Sequence, residues 1–248
     1  MSQFPYLQNI PERISEFSDR FKVTIDISRT NIESIAPLAP IENLNGLEAF
    51  RSKICDIGVL KNCHVLTSLR LCKTNVSDLS PVANCLKLET LKLGGTHVDN
   101  IDCLSSLVKL KALTLAGTRV SELKALESLV DLEELTLSGT DVTDIGVLRF
   151  LKRLRTLTLS GTPVEDFSPI SGLKNMTNLT LSHTSFDDLN VISELRNLRV
   201  LAISGTGVRD VTPLSKIMKL RMLVAKGTPI EGVENLPNLK ETEPYLED

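Results

Sequence analysis

Apolar residues along this chain recur in a fixed, asymmetric rhythm. The stretch Leu110-x-x-Leu113-x-Leu115-x-Gly117-Thr118-x-Val120-x-x-Leu123-x-x-Leu126-x-x-Leu129 is followed in register by Leu132, Leu135, Leu137, Gly139, Thr140, Val142, Ile145, Leu148 and Leu151. The Leu-x-Leu alternation ahead of each threonine has the period of two that predicts a short strand. The later apolar positions, three apart, do not fit a strand and predict a tight 3-10-like or irregular segment. Thr74, Thr96, Thr118, Thr140, Thr162, Thr184, Thr206 and Thr228 lie 22 residues apart, and two further steps back reach Ser52 and Thr30. Ten coils therefore share one register without an insertion. A single coil buries little by itself, so stability has to come from stacking neighbours.

Two smaller patterns refine each coil. Ser80-Pro81, Ser168-Pro169 and Thr212-Pro213 are expected to set a hydroxyl at a helix N-cap with proline at the first helical position, and Asp102 and Asn190 fall in the same column. Four residues past the threonine runs an acidic column: Asp56, Asp78, Glu122, Asp144, Asp166, Asp188 and Asp210. A calcium site needs about six oxygens in a closed cage, and one acid per coil does not supply them. Turn bonding by aspartate explains the column instead, and no metal site is expected.

The unit L-x-x-L-x-L-x-x-T-x-V-x-D-I-x-P-L resembles the 22-residue class of leucine-rich repeats found in type-1 phosphatase regulatory subunits and bacterial internalins, over roughly residues 22 to 240. The resemblance implies an α/β fold class. The expected form is a right-handed leucine-rich-repeat solenoid with a curved parallel sheet of about ten short strands on its concave face and a 3-10 or irregular convex face. It also implies a binding scaffold, while leaving the partner open. The usual asparagine after the strand is threonine in nine of the ten coils, Ser52 being the exception. The threonines, from Thr30 and Thr74 to Thr228, are expected to form a structural ladder, each hydroxyl standing in for the amide and bonding backbone of an adjacent coil.

Solenoid ends need caps. Residues 1–21 are expected to supply an N-terminal one: Pro11 opens a helix that places Ile14, Phe17 and Phe21 on one face. Residues 22–240 carry the ten repeats, and residues 241–248 form an acidic C-terminal tail expected to fray. Two coils depart from the strand pattern. Ala49 and Ala225 occupy places expected to hold a large core residue, with Phe50 and Val224 beside them. Either these neighbours turn inward, or they stand on the surface.

At about 4.8 Å per strand the stacked coils give an inner face on the order of 48 Å long. Alternation assigns its central column to Asp26, Glu48, Arg70, Lys92, Thr114, Thr136, Thr158, Thr180, Ala202 and Val224. A neighbouring column contains Glu134, Asn178, Val200 and Met222. The face begins charged, with Lys73 beside Arg70 and Lys92, continues as small hydroxyls, and ends apolar. A protein partner is expected to span these zones, touching Glu48, Phe50, Arg70, Lys73, Lys92, Glu134, Thr136, Thr158, Thr180 and Val200, with Met222 and Val224 as anchors.

Composition narrows the function classes. Net charge is −3 and only 4% of residues are aromatic, which disfavours nucleic acid and anionic membrane as partners. No apolar run approaches the roughly 20 residues of a membrane span. The first residues lack the pattern of a secretory signal. Five cysteines, with no C-x-x-C pair, fit a reducing compartment, so a cytoplasmic monomer is expected. The sequons at Asn75, Asn175 and Asn178 are read as chance. No nucleotide-binding, hydrolase or metalloprotease motif occurs, and His64, His97 and His183 lie in different coils. Cys72 falls on the inner face, with cationic Arg70 and Lys92 beside it and no general base. Cys63 and Cys85 sit at equivalent core positions and are expected to pack as small hydrophobes. The reading is therefore a non-catalytic scaffold or regulatory subunit without a cofactor. An internalin-like surface adhesin and the sensor region of a larger enzyme are the alternatives.

Overall fold

The computed structural model describes residues 22–39, 41–233, 236 and 241–242. The expected N-terminal helix and the tail beyond Thr242 lie outside these residues.

Eleven strands form one parallel sheet in strict chain order: β1 (Val23–Asp26), β2 (Leu44–Glu48), β3 (Ser68–Arg70), β4 (Thr90–Lys92), β5 (Ala112–Thr114), β6 (Glu134–Thr136), β7 (Thr156–Thr158), β8 (Asn178–Thr180), β9 (Val200–Ala202), β10 (Met222–Val224) and β11 (Glu241–Thr242). Between β2 and β10 every pair joins residues 22 positions apart, as in Leu69↔Leu91 and Leu91↔Leu113. Equal coil length leaves the chain no other register. The one shift lies between Val23 and Thr24, where β1 meets β2. There Gly46 packs so closely that a Cβ would come within 2.9 Å of the Thr24 hydroxyl. Glu241 and Thr242, placed at the start of the tail, pair with Met222 and Leu223 and extend the sheet by one strand.

The core is a continuous column of stacked leucines. Leu69, Leu91, Leu113, Leu135, Leu157, Leu179, Leu201 and Leu223 from the strand centres are 0–2% exposed, as are Leu71, Leu93, Leu115, Leu137, Leu159, Leu181 and Ile203 after them. Burying one such side chain is worth about 1.5–3 kcal/mol, so the rows supply the main favourable term. The opposite wall consists of 3-10 turns such as Asp102–Ser106 and Gly146–Phe150, and every helical segment among the described residues is 3-10. Phe186 replaces a valine of its column and meets Phe167 edge-on at 5.1 Å between ring centres.

The aspartates of the acidic column bond turns as expected, whereas Glu122, in the same column, makes no such bond. Asp56, Asp78, Asp144, Asp166, Asp188 and Asp210 each accept the backbone N–H two residues ahead at 2.7–2.8 Å, and Asn100 does the same for Asp102. These bonds shift the capping role. Ser80, Ser168 and Thr212 are the first residues of their 3-10 turns, and Leu79, Phe167 and Val211 hold the cap positions without a side-chain bond. The hydroxyls of Ser80 and Thr212 donate to Asp78 and Asp210 instead. Hydrogen bonds from Ser168 and Thr212, side chain first and backbone N–H second, hold Asp166 and Asp210 below the usual carboxylate pKa.

The threonine ladder also differs from expectation. Thr30, Thr74, Thr96, Thr118, Thr140, Thr162, Thr184 and Thr206 donate to the carbonyl three residues back in their own coil, at 2.6–2.7 Å. Thr228 alone crosses between coils, to the carbonyl of Ile203. A hydroxyl is one bond shorter than an amide and closes the local turn without reaching the next coil. Backbone links join the coils there, such as Arg119 N–H to Val98 O and Asp141 N–H to Val120 O. Inter-coil hydroxyl bonds occur two residues earlier, where Ser28, Ser182 and Ser204 accept the N–H of Phe50, Ser204 and Lys226.

Candidate concave interface

The strand pleat sets this face. Leucines point into the core, so their neighbours along each strand must point away from it. Arg70, Glu134 and Asn178 are exposed, and Glu48, Lys92, Thr136, Thr158, Thr180, Val200, Met222 and Val224 are half-buried. The structure thus brings the predicted residues onto one surface, with exposed Lys73 just beyond the edge of β3. The two open questions on packing are resolved. Ala49 fills its core slot by itself at 0% exposure, and Phe50 stays half-buried at the surface. Val224 is likewise half-buried on the face, beside the buried Leu223, and Ala225 packs against the core.

Phe50 organises the N-terminal end of the face. The Arg51 guanidinium lies 5.1 Å from its ring centre and that of Arg29 lies 5.9 Å away, both within cation–π range. A depression of about 550 Å³ opens here, lined by Asp26, Ser28, Arg29, Glu48, Phe50, Arg70, Cys72 and Lys92. Glu48 and Arg70 approach to 3.6 Å across β2 and β3. Ser28 hydrogen bonds, its side chain first and its N–H second, hold the Asp26 carboxyl below its ordinary pKa.

Immediately before the anchor threonine each coil turns through the left-handed region. Gly95, Gly117, Gly139, Gly161, Gly205 and Gly227 take this conformation, with φ between 62° and 68°. Arg29, Arg51, Lys73 and His183 take it too, at 57–59°, despite carrying a Cβ. Arg29 and Arg51 were missed by the sequence reading. Their signal was present in the sequence: the position before the threonine is glycine in most coils and a cation in the first three. Also missed was a flank ahead of the strands, where Leu86, Val108 and Val130 are 49–54% exposed in successive coils.

Among the described residues no group of three or more His, Cys, Asp or Glu is placed to hold a metal, and no helix is long and apolar enough to cross a membrane. All five cysteines are free thiols. Burial raises the Cys63 thiol pKa and pushes Cys85 to about 12 and Cys103 to about 11, with the neighbouring Cys63 adding to Cys85 and Asp78 to Cys103. Cys63 and Cys85 are thus inert core thiols.

A single-layer parallel sheet backed by 3-10 turns at 22-residue spacing is a leucine-rich-repeat solenoid. Solved structures agree. An internalin (inlF) from Listeria monocytogenes superposes with a TM-score of 0.74 at 22% identity, over 88% of this chain and 78% of the internalin. A leucine-rich-repeat protein from Leptospira interrogans gives 0.78 at 22% identity, over 85% of this chain and 56% of that one. The leucine-rich-repeat ectodomain of the Arabidopsis thaliana membrane receptor kinase GASSHO1/SCHENGEN3, solved in complex with Casparian strip integrity factor 2, gives 0.74 at 18% identity, over 88% of this chain and 29% of that one. No protein-family model matches the chain, and no curated protein matches it in sequence.

Proposed function

We propose that this chain is a non-catalytic scaffold or regulatory subunit of the 22-residue repeat class that holds a protein partner on its concave face. One observation carries the reading: fully buried leucines alternate along every strand from β3 to β10 with side chains left open to solvent, in a register that never slips. The apolar end at Val200, Met222 and Val224 supplies desolvation, and the charged end supplies orientation. The likeness to internalins supports the fold, and five free thiols favour a reducing, cytoplasmic setting over a cell-surface one.

Capture of the native partner from cell extract tests the reading. Val224→Asp and Arg70→Glu, each on the full chain, are expected to weaken capture at least about tenfold, equivalent to about 1.4 kcal/mol. Undiminished capture by both variants overturns it. Light scattering is expected to return the mass of a monomer.

A further inference from the structure

The first coils accept two costs that the middle coils avoid. A residue with a Cβ at positive φ is strained, and Gly95, Gly117, Gly139 and Gly161 relieve that strain at the equivalent turn. Arg29, Arg51 and Lys73 accept it in three successive coils, as His183 does singly in a later one. The second cost is repulsion. Arg29 N–H bonds Phe50 O, Arg51 N–H bonds Cys72 O and Lys73 N–H bonds Gly94 O, so the sheet ladder continues into this turn and stacks three cations one coil apart. Arg70 and Lys92 stand opposite one another in the adjoining strands, a second like-charge pair. The Phe50 ring and the Glu48 carboxylate, 3.6 Å from Arg70, offset part of this repulsion, yet cations stay in excess at this corner of a chain that is acidic as a whole, at −3. Strain and repulsion kept together at the rim of an open depression mark a ligand site.

Resting on the concave-face reading above, we infer that this corner binds a carboxylate-rich, extended segment of the partner protein. The arginines offer planar forks that match carboxylates in a bidentate manner. Arg29 and Arg51 are held in place by the Phe50 ring, so part of the ordering cost of their long side chains is already met. Small neighbours, Ser28 and Cys72, line the depression with the ring and let a peptide backbone approach it. A nucleic-acid backbone fits less well. Asp26 and Glu48 lie within the same depression and repel either anion, but an extended peptide can set uncharged residues against them whereas a phosphate backbone carries a charge at every step, and the Phe50 ring already has two guanidiniums against it.

The test uses the full chain and a short fluorescent peptide alternating glutamate with alanine, followed by anisotropy at two salt concentrations. Binding is expected to weaken with salt. It should fall at least about tenfold in Arg51→Gly and in Arg70→Gln, the loss of about 1.4 kcal/mol that removing a charged hydrogen bond produces. Lys174→Gln, on the exposed flank, should leave it unchanged. Arg51→Gly installs the residue most coils carry at this turn, so its melting temperature should not drop, which separates a lost ligand contact from a lost fold. The inference is overturned if the glutamine-for-glutamate peptide binds equally well, if a single-stranded RNA of equal charge binds more tightly, or if Arg51→Gly binds like the parent. If native-partner capture then still fails with Val224→Asp but survives Arg51→Gly, the concave-face reading stands and only this assignment falls.

Discussion

Coils built on β2 and β6 have the same backbone and opposite priorities. Around β6 every position does what stacking requires: Leu135 and Leu137 fill the core, Gly139 makes the left-handed turn at φ 62°, and the Thr140 hydroxyl closes it at 2.7 Å. Around β2 each of these is altered. Ala49 replaces the second leucine, Arg51 makes the turn, and the Ser52 hydroxyl, 4% exposed, has no hydrogen-bond partner. The middle coils show what folding alone asks of a repeat. Single departures occur elsewhere, at His183 and Ala225, but around β2 three fall in one coil and leave a cation-framed aromatic ring at the surface.

The largest effect should come from giving the middle coil the core of β2. Leu137→Ala is expected to cost about 2–5 kcal/mol, because the lost methyl groups leave a cavity between two well-packed coils. Ala49 carries no such penalty of substitution: it is the residue its own coil folds around, and it is 0% exposed. Urea unfolding measures the difference. A loss below about 1 kcal/mol for Leu137→Ala would mean that the middle is as adaptable as the end, and the contrast would lapse.

A smaller effect separates the two anchor residues. Thr140→Val keeps the shape of the side chain and removes the shorter of two hydrogen bonds to the Leu137 carbonyl, which keeps the Thr140 N–H at 3.2 Å, for a loss of about 0.5–1.5 kcal/mol. Ser52→Ala removes a buried hydroxyl that has no partner, so the same kind of deletion should be neutral or slightly stabilising there. Equal losses at the two sites in thermal unfolding would count against the distinction.

The strands and their register were legible because the 22-residue period is exact enough to fix which residues pair, and the pleat then sorts leucines from the open face. The direction of the threonine hydroxyl was not legible. Spacing says that Thr118 lies beside Thr140, but a bond inside the coil or across to the next depends on side-chain reach, and Thr118 bonds Leu115 in its own coil. The cap positions were misread for a similar reason: the Asp78 carboxylate competes for the N–H of Ser80 and wins the turn. Of the candidate site, Arg70 and Lys92 followed from alternation, while Arg29 and Arg51 required recognising that the turn before the threonine, which also holds Lys73, is itself a stacked, outward-facing column. The outward placement of Phe50 turned on whether Ala49 could close its own slot, a packing question that periodicity does not address.

The smallest effect vanishes at neutral pH and appears only under alkali. Cys63 and Cys85 occupy a core column that is leucine at Leu107, Leu129, Leu151, Leu173 and Leu195, so thiols there distinguish the N-terminal coils from the rest. Burial raises the folded-state pKa of Cys85 from an ordinary 9.0 to about 12. In the unfolded chain the thiol ionises near its ordinary value, so unfolding releases a proton once the pH exceeds it. The stability linked to this shift is therefore intact below about pH 9 and declines as the pH rises toward 12. Cys85→Val removes the titrating group while keeping an apolar side chain in a leucine column. Its urea midpoint is expected to fall less steeply than that of the parent above pH 9, with the two curves parallel below it. Parallel curves throughout would show that the buried thiols do not set the alkaline limit of these coils.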